Sequence, residues 1–207
     1  MKIIESNNQI KLKIYTELAK EFNAKFNRNR EKIQAEIREL ASVALITSET
    51  FRSLVYGELN SHFGFNEGTA SFSVNSIIAL IVSKINMTYV QAKATVNGLN
   101  SGLYINLYRG THSILESNEA YIQAENYNIP WLKWLLTEGD KIIVSGYNIK
   151  FEDGKGRSGW AIMIQDNSKS WRVPAEYSGV EDDNWITRSL QTSQFKEGLE
   201  SILSKYL

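Results

Sequence analysis

The chain has 207 residues, with 23 Lys plus Arg against 23 Asp plus Glu, two histidines and no cysteine. That length suits one domain able to bury a core without staples. Balanced charge excludes a global field toward nucleic acid or an anionic membrane, and the absence of thiols excludes a disulfide framework, a cysteine nucleophile and sulfur-rich zinc sites.

Residues 1–15, MKIIESNNQIKLKIY, interrupt their apolar positions with Glu5, Asn7, Asn8 and lysines, so a signal-peptide core is not expected. The longest apolar run, in SIIALIVSKI, is too short for a bilayer. A soluble, cytoplasmically made protein without membrane contact is the expectation. From Ile10 the spacing predicts helix: Ile14, Leu18, Phe22 and Phe26 step by four, and Ile33, Ile37, Leu40 and Ala44 continue the stripe. Asn23, Asn27 and Asn29 with Arg28 and Arg30 suggest a bend near residues 27–30. Residues 1–32 carry eight basic against four acidic side chains, Lys2 to Lys32 against Glu5, Glu17, Glu21 and Glu31. The surplus is read either as a solvated helix face or as a docking arm for an acidic partner or packaged nucleic acid. The expected organisation is a helical arm over 1–46 and an α+β core domain over 47–207.

Thr47-Ser48-Glu49-Thr50 can cap a second helix with Phe51, Leu54 and Val55 inward. HFGFNEGTASF reads as a connection, and its His62 is assigned no chemistry. Val74, Ile77, Ile78, Ile81 and Ile85 fall at helical spacing. MTYVQAKATV and GLYINLYRG alternate on either side of NGLNSG, which predicts a hairpin. A short helix near Ser113–Ser117 and a strand at Ala120–Ala124 follow. Pro130 opens a short helix with Trp131, Leu132, Trp134, Leu135 and Leu136 inward, stopped by Gly139. All five tryptophans, Trp131, Trp134, Trp160, Trp171 and Trp185, are expected in the core.

Lys141–Phe151 alternates as a strand, EDGKGRSG reads as a mobile glycine loop, WAIMI as a second strand, and DNSKS as a turn into WRV. The expected product is a three-stranded meander joined to the earlier hairpin in one antiparallel sheet. Asn184–Leu207 is predicted helical, with Ile186, Leu190, Phe195, Leu199, Ile202 and Leu203 on the sheet and Asp182 or Asp183 as cap. The fold class is therefore α+β, with long N-terminal helices and a C-terminal helix packed on a mostly antiparallel sheet.

Gly154-Lys155-Gly156-Arg157-Ser158-Gly159 lacks the P-loop order of glycines and lysine, and no helix is expected after it to face a phosphate. Glu176, Glu181, Asp182 and Asp183 lack EF-hand order and are explained by capping and a solvated loop. With no Gly-x-Ser-x-Gly elbow, neither a histidine triad nor a common zinc site is suggested. No catalytic, cofactor or metal residue is assigned.

With IPWLKWLL, GRSGWAIM, WRVPAEYSG and DDNWITRSL in order, the C-terminal half resembles neck proteins of tailed bacteriophages, the head–tail connector and tail-completion family of virion structural proteins. The family pattern of helix, sheet, glycine-arginine turn, Gly-containing segment, Asn-aromatic or Pro-aromatic pair and final helix falls on Gly156, Arg157, Ser158 and Gly159, then Pro174 and Gly179, then Asn184, Trp185 and Arg188. The likeness covers residues 129–195 and the rest by order of elements. It implies a non-enzymatic protein without cofactor, assembled in the host cytoplasm into a virion ring of on the order of six or twelve copies. Its neighbours would be portal or adaptor and tail-tube or terminator proteins, with packaged DNA in reach. On that reading Lys155 and Arg157 of one subunit face Glu181, Asp182 or Asp183 of the next. The alternatives are a nucleic-acid-binding or regulatory module using the basic helix, and an enzyme binding a phosphorylated ligand at the glycine loop.

Overall fold

The computed structural model describes residues 6–106, 111–123 and 128–207. Its fold is α+β. Helix α1 runs unbroken from Asn7–Ile46, opened by a capping box in which Ser6 accepts from the Gln9 amide and the Gln9 side chain accepts from the Ser6 amide. At 1.5 Å per residue it is about 60 Å long. No bend falls at 27–30, where Asn29 donates to the Tyr206 carbonyl, and Asn23 before it is tied to a strand.

The buried face of α1 is Ala19, Phe26, Ile33, Ile37, Ala41 and Leu45, whereas Ile14 and Leu18 are exposed. The sequence stripe of fours overstates how far one face persists. Each step of four turns about 40° past a full circle, so by Phe26 the line from Ile14 has crossed a third of the helix surface.

Helices α2 (Glu49–Tyr56) and α3 (Glu58–Phe63) follow at once, α2 capped by the Ser48 hydroxyl on the Phe51 amide. The connection expected over residues 62–72 thus begins inside a helix and ends inside the next. Helix α4 (Ala70–Ser83) buries Val74, Ile77, Ile78 and Ile81, as its spacing predicts. Arg38 on α1 donates to the Ile85 and Ser83 carbonyls that α4 leaves open at its end.

Strands β1 (Asn86–Thr95) and β2 (Gly98–Asn106) form the expected hairpin, though it turns at Val96-Asn97 rather than across NGLNSG. The predicted end of its second strand, 107–110, lies outside the described residues. A bulge between Val90 and Lys93 leaves Ala92 off the ladder. Asn23 of α1 satisfies it from both sides, accepting from the Ala92 amide at 2.8 Å and donating to its carbonyl at 3.0 Å. Tyr89 stacks on Phe26 and bonds the same asparagine side chain. The hairpin therefore runs back along the N-terminal half of α1, antiparallel to it.

Helix α5 (Thr111–Leu115), a 3-10 turn (Asn118–Ala120) and a two-residue pair, β3 (Ile122–Gln123) with β4 (Asn128–Ile129), lead to α6 (Trp131–Thr137). Residue 124 of the predicted 120–124 strand lies outside the described residues. Strand β5 (Val144–Phe151) pairs with β6 (Ala161–Trp171) in a second long hairpin. Two corrections follow. DNSKS continues β6 instead of turning, since a register shift between Ser145 and Tyr147 absorbs the extra residues. The three strand pairs also stay separate two-stranded sheets, because α1 takes the open face of one and α3 and α6 pack near the other.

The expected final helix is two, α7 (Trp185–Ser189) and α8 (Ser193–Tyr206), broken at Leu190–Thr192. Helix α8 packs antiparallel on α1 and not on a sheet: Tyr206 and Lys205 bond Glu36, while Gly198 lies against Leu40. The cap of α7 is Asn184, not Asp182 or Asp183. Its side chain accepts from the Ile186 and Thr187 amides and donates to the Val180 and Glu181 carbonyls.

One hydrophobic core joins α1 from Phe26 to Leu45 with α2–α4, α6 and α7, so it crosses the residue-46 boundary read from sequence. Trp131, Trp171 and Trp185 are buried in it, each with its indole N–H satisfied, by the Glu119 carbonyl, His62 and Ser48 respectively. Trp134 is half-buried, edge-on to Trp171. Trp160 is not core at all: it is 60% exposed. Strand alternation explains why, for Ala161 faces inward and its predecessor must face out.

Candidate interaction site

The glycine loop between β5 and β6 is a built structure rather than a slack one. Glu152 and Gly154 amides donate to the Trp160 and Gly159 carbonyls, and Lys155 and Gly159 amides to the Glu152 and Gly156 carbonyls. Gly156 holds φ +68°, and a methyl there would fall on the Ala161 carbonyl oxygen, so only glycine fits. The loop is docked on the α3–α4 connection: the Glu67 amide donates to the Arg157 carbonyl at 3.2 Å, and the Arg157 guanidinium lies on Gly64, the left-handed cap of α3.

Two grooves flank this junction. On one side a groove of about 440 Å³ is rimmed by Tyr56, Phe151 and Trp160, with Glu58, Glu67 and the buried Ser158 in its walls. The three rings are 81%, 53% and 60% exposed. Lone exposed apolar side chains are ordinary, but three large aromatics around one concavity are a binding feature. Glu67 is exposed and makes no side-chain hydrogen bond or ion pair among the described residues. Aromatic faces beside carboxylates suit a cation, which a ring attracts through its quadrupole by about 0.5–2 kcal/mol.

On the other side a groove of about 500 Å³ is lined by His62, Trp134, Trp171, Ile149, Met163 and Arg157. His62 is a structural link here. Its Nδ1 accepts from the Trp171 indole at 2.8 Å, which places the ring proton on Nε2, 2.8 Å from a Glu58 carboxylate oxygen. The chain Trp171 to His62 to Glu58 thus fixes one carboxylate of the first groove from the core outward.

The residues singled out from sequence divide. Lys155 and Arg157 are exposed on the glycine loop, and Glu181 and Asp182 are exposed on the loop before α7. Among the described residues no hydrogen bond or ion pair joins these two loops. Asp183 is already engaged within the chain: Arg188 holds it with Nε and Nη2 at 2.6 and 2.9 Å. That hydrogen bond keeps the Asp183 carboxyl below, and the Arg188 guanidinium above, their ordinary pKa values. Tyr56, Glu58, Glu67 and Phe151 are not grouped by any sequence pattern, since they lie on α2, α3, the α3–α4 connection and β5. The legible signal was a large aromatic directly after a glycine run and directly before an inward alanine.

Among the described residues no group of three His, Asp or Glu side chains is placed to hold a metal ion, and no helix is long and apolar enough to cross a membrane. Comparison of the chain with family models, with curated proteins and with solved structures yields no match.

Proposed function

We propose that the chain is a non-enzymatic virion structural protein of a tailed bacteriophage, forming a ring in the head–tail neck in a connector or tail-completion role. The observation that carries an assembly role is the two-layer arm formed by the N-terminal half of α1 and the β1–β2 hairpin. A two-stranded hairpin on one helix has little core of its own. This arm leaves Leu12, Ile14 and Leu18 exposed on the helix, and Val90 and Tyr104 on the outer face of the hairpin. Apolar residues on two different surfaces suit heterologous contacts, which close into rings when the rotation per subunit allows. The link to phage particles rests on the resemblance of residues 129–195.

The arm is less suited to grip nucleic acid. Lys20 and Lys25, two of the basic side chains of residues 1–32, are within ion-pair distance of Glu17 and Glu21, which lowers the positive charge the arm presents to phosphate. The neighbours on this reading are the portal or adaptor on one side and the tail-tube or terminator protein on the other. The test is quantitative mass spectrometry of purified particles, counting this chain against the portal. A fixed ratio on the order of six or twelve copies per particle supports the reading, and absence from particles refutes it.

A further inference from the structure

We infer that the groove rimmed by Tyr56, Phe151 and Trp160 receives the N-terminal turns of α1 from a second copy of this chain. The contact deepens the ring reading and rests on it for closure, though the pairing itself stands on the geometry below. The groove offers three exposed aromatic faces and two carboxylates, Glu58 oriented by His62 and Glu67 without a side-chain partner among the described residues. The first turns of α1 offer the complement on one face, where Lys11, Ile14 and Leu18 stand at i, i+3 and i+7 and are all exposed. Lys11 of one copy thus meets the groove carboxylates of another with opposite charge.

The pairing must be between molecules. The groove is built on residues 55–68 and the loop that docks on them, and α2 starts just after α1 ends at Ile46. Leu12 lies 34 positions before Ile46 on one unbroken helix, about 50 Å along its axis. A continuous helix cannot fold back to its own far end. The donor surface and the receptor surface are thus at opposite ends of one rigid element, and each added copy presents a fresh groove. Docking this helix face against aromatic rims uses both the apolar burial of Ile14 and Leu18 and the attraction of the Lys11 ammonium to ring faces.

Sedimentation velocity of the full-length chain over a concentration series tests this. The native chain should associate, and Glu67→Lys or Lys11→Glu should each weaken association about tenfold or more. Combining both changes in one chain restores opposite charges and should recover most of the loss. Trp160→Ser, at an exposed site where folding is not at stake, should weaken association comparably. Lys155→Glu and Asp182→Lys should leave it unchanged. Association that ignores Glu67→Lys and Trp160→Ser, or a chain that stays monomeric at every concentration, overturns the contact. Either failure leaves the particle count untouched, so a neck ring built on other surfaces would still be seen there.

Discussion

Asn184→Ala removes four hydrogen bonds from a side chain with no exposed surface. Losing the cap itself costs about 1 kcal/mol, and leaving the buried Ile186 amide without an acceptor adds about 1–2 kcal/mol. The Val180 and Glu181 carbonyls belong to exposed residues and can turn to water, so each adds only about 0.5 kcal/mol. The sum is about 3–4 kcal/mol, which for a chain of this length lowers Tm by about 6–16 °C. Urea unfolding followed by tryptophan fluorescence, with thermal melts by circular dichroism, measures it. Asn184→Asp keeps the acceptor and suits the positive helix end, yet loses both donors, and should recover about half of the loss. Asp182→Ala should change little, since Asp182 caps nothing. A loss below about 1 kcal/mol for Asn184→Ala, or an aspartate no better than alanine, would refute the capping argument.

A methyl on Gly179 would meet the Leu135 carbonyl oxygen at 2.5 Å and the Asn184 Cβ at 2.7 Å, so Gly179→Ala should cost about 1–3 kcal/mol in urea unfolding. Gly154 has φ +71° but open space around it, so Gly154→Ala should cost only about 1 kcal/mol, from backbone strain alone. His62→Leu strips the partner from the buried Trp171 indole and should destabilise by about 1–3 kcal/mol, with a shift in tryptophan emission. Glu36 is held below its ordinary value of 4.5 by hydrogen bonds from Lys205 and then Tyr206. A depressed carboxylate contributes stability above its unfolded pKa and loses it as pH falls through the folded value, so the hold of α8 on α1 should weaken below about pH 4.5. Glu36→Gln should flatten that acid limb in unfolding curves taken from pH 7 downward, and an unchanged limb would exclude Glu36 as its source.

Much of the fold was legible because local physics repeats along the chain. The helix periods of α1 and α4, the Ser48 cap and the alternation around Val96-Asn97 each fix an element without reference to the rest. The misreadings arose where a partner decided the outcome. Asn23, a poor helix former by itself, stays in α1 because the Ala92 bulge needs both its donor and its acceptor. DNSKS, rich in turn residues, stays within β6 because the pairs on either side of it, Ser145 with Ser170 and Tyr147 with Gln165, hold the strand through the irregularity. At the site, the Gly156 turn is legible as a local glycine pattern, whereas the acidic loop expected to face Arg157 has one carboxylate bound by its own Arg188. The groove residues came from α2, α3, the α3–α4 connection and the β5–β6 hairpin, and no spacing rule connects positions so far apart.

By itself the sequence determined an α+β chain with a long amphipathic N-terminal helix, tight glycine turns and tryptophan-rich packing, since propensity and period act over a few residues. Only the tertiary structure decided which faces were left uncovered. Trp160 and Ile14 are as apolar as Trp131 and Ile33, and what separates them is whether another element arrived to exclude water from them.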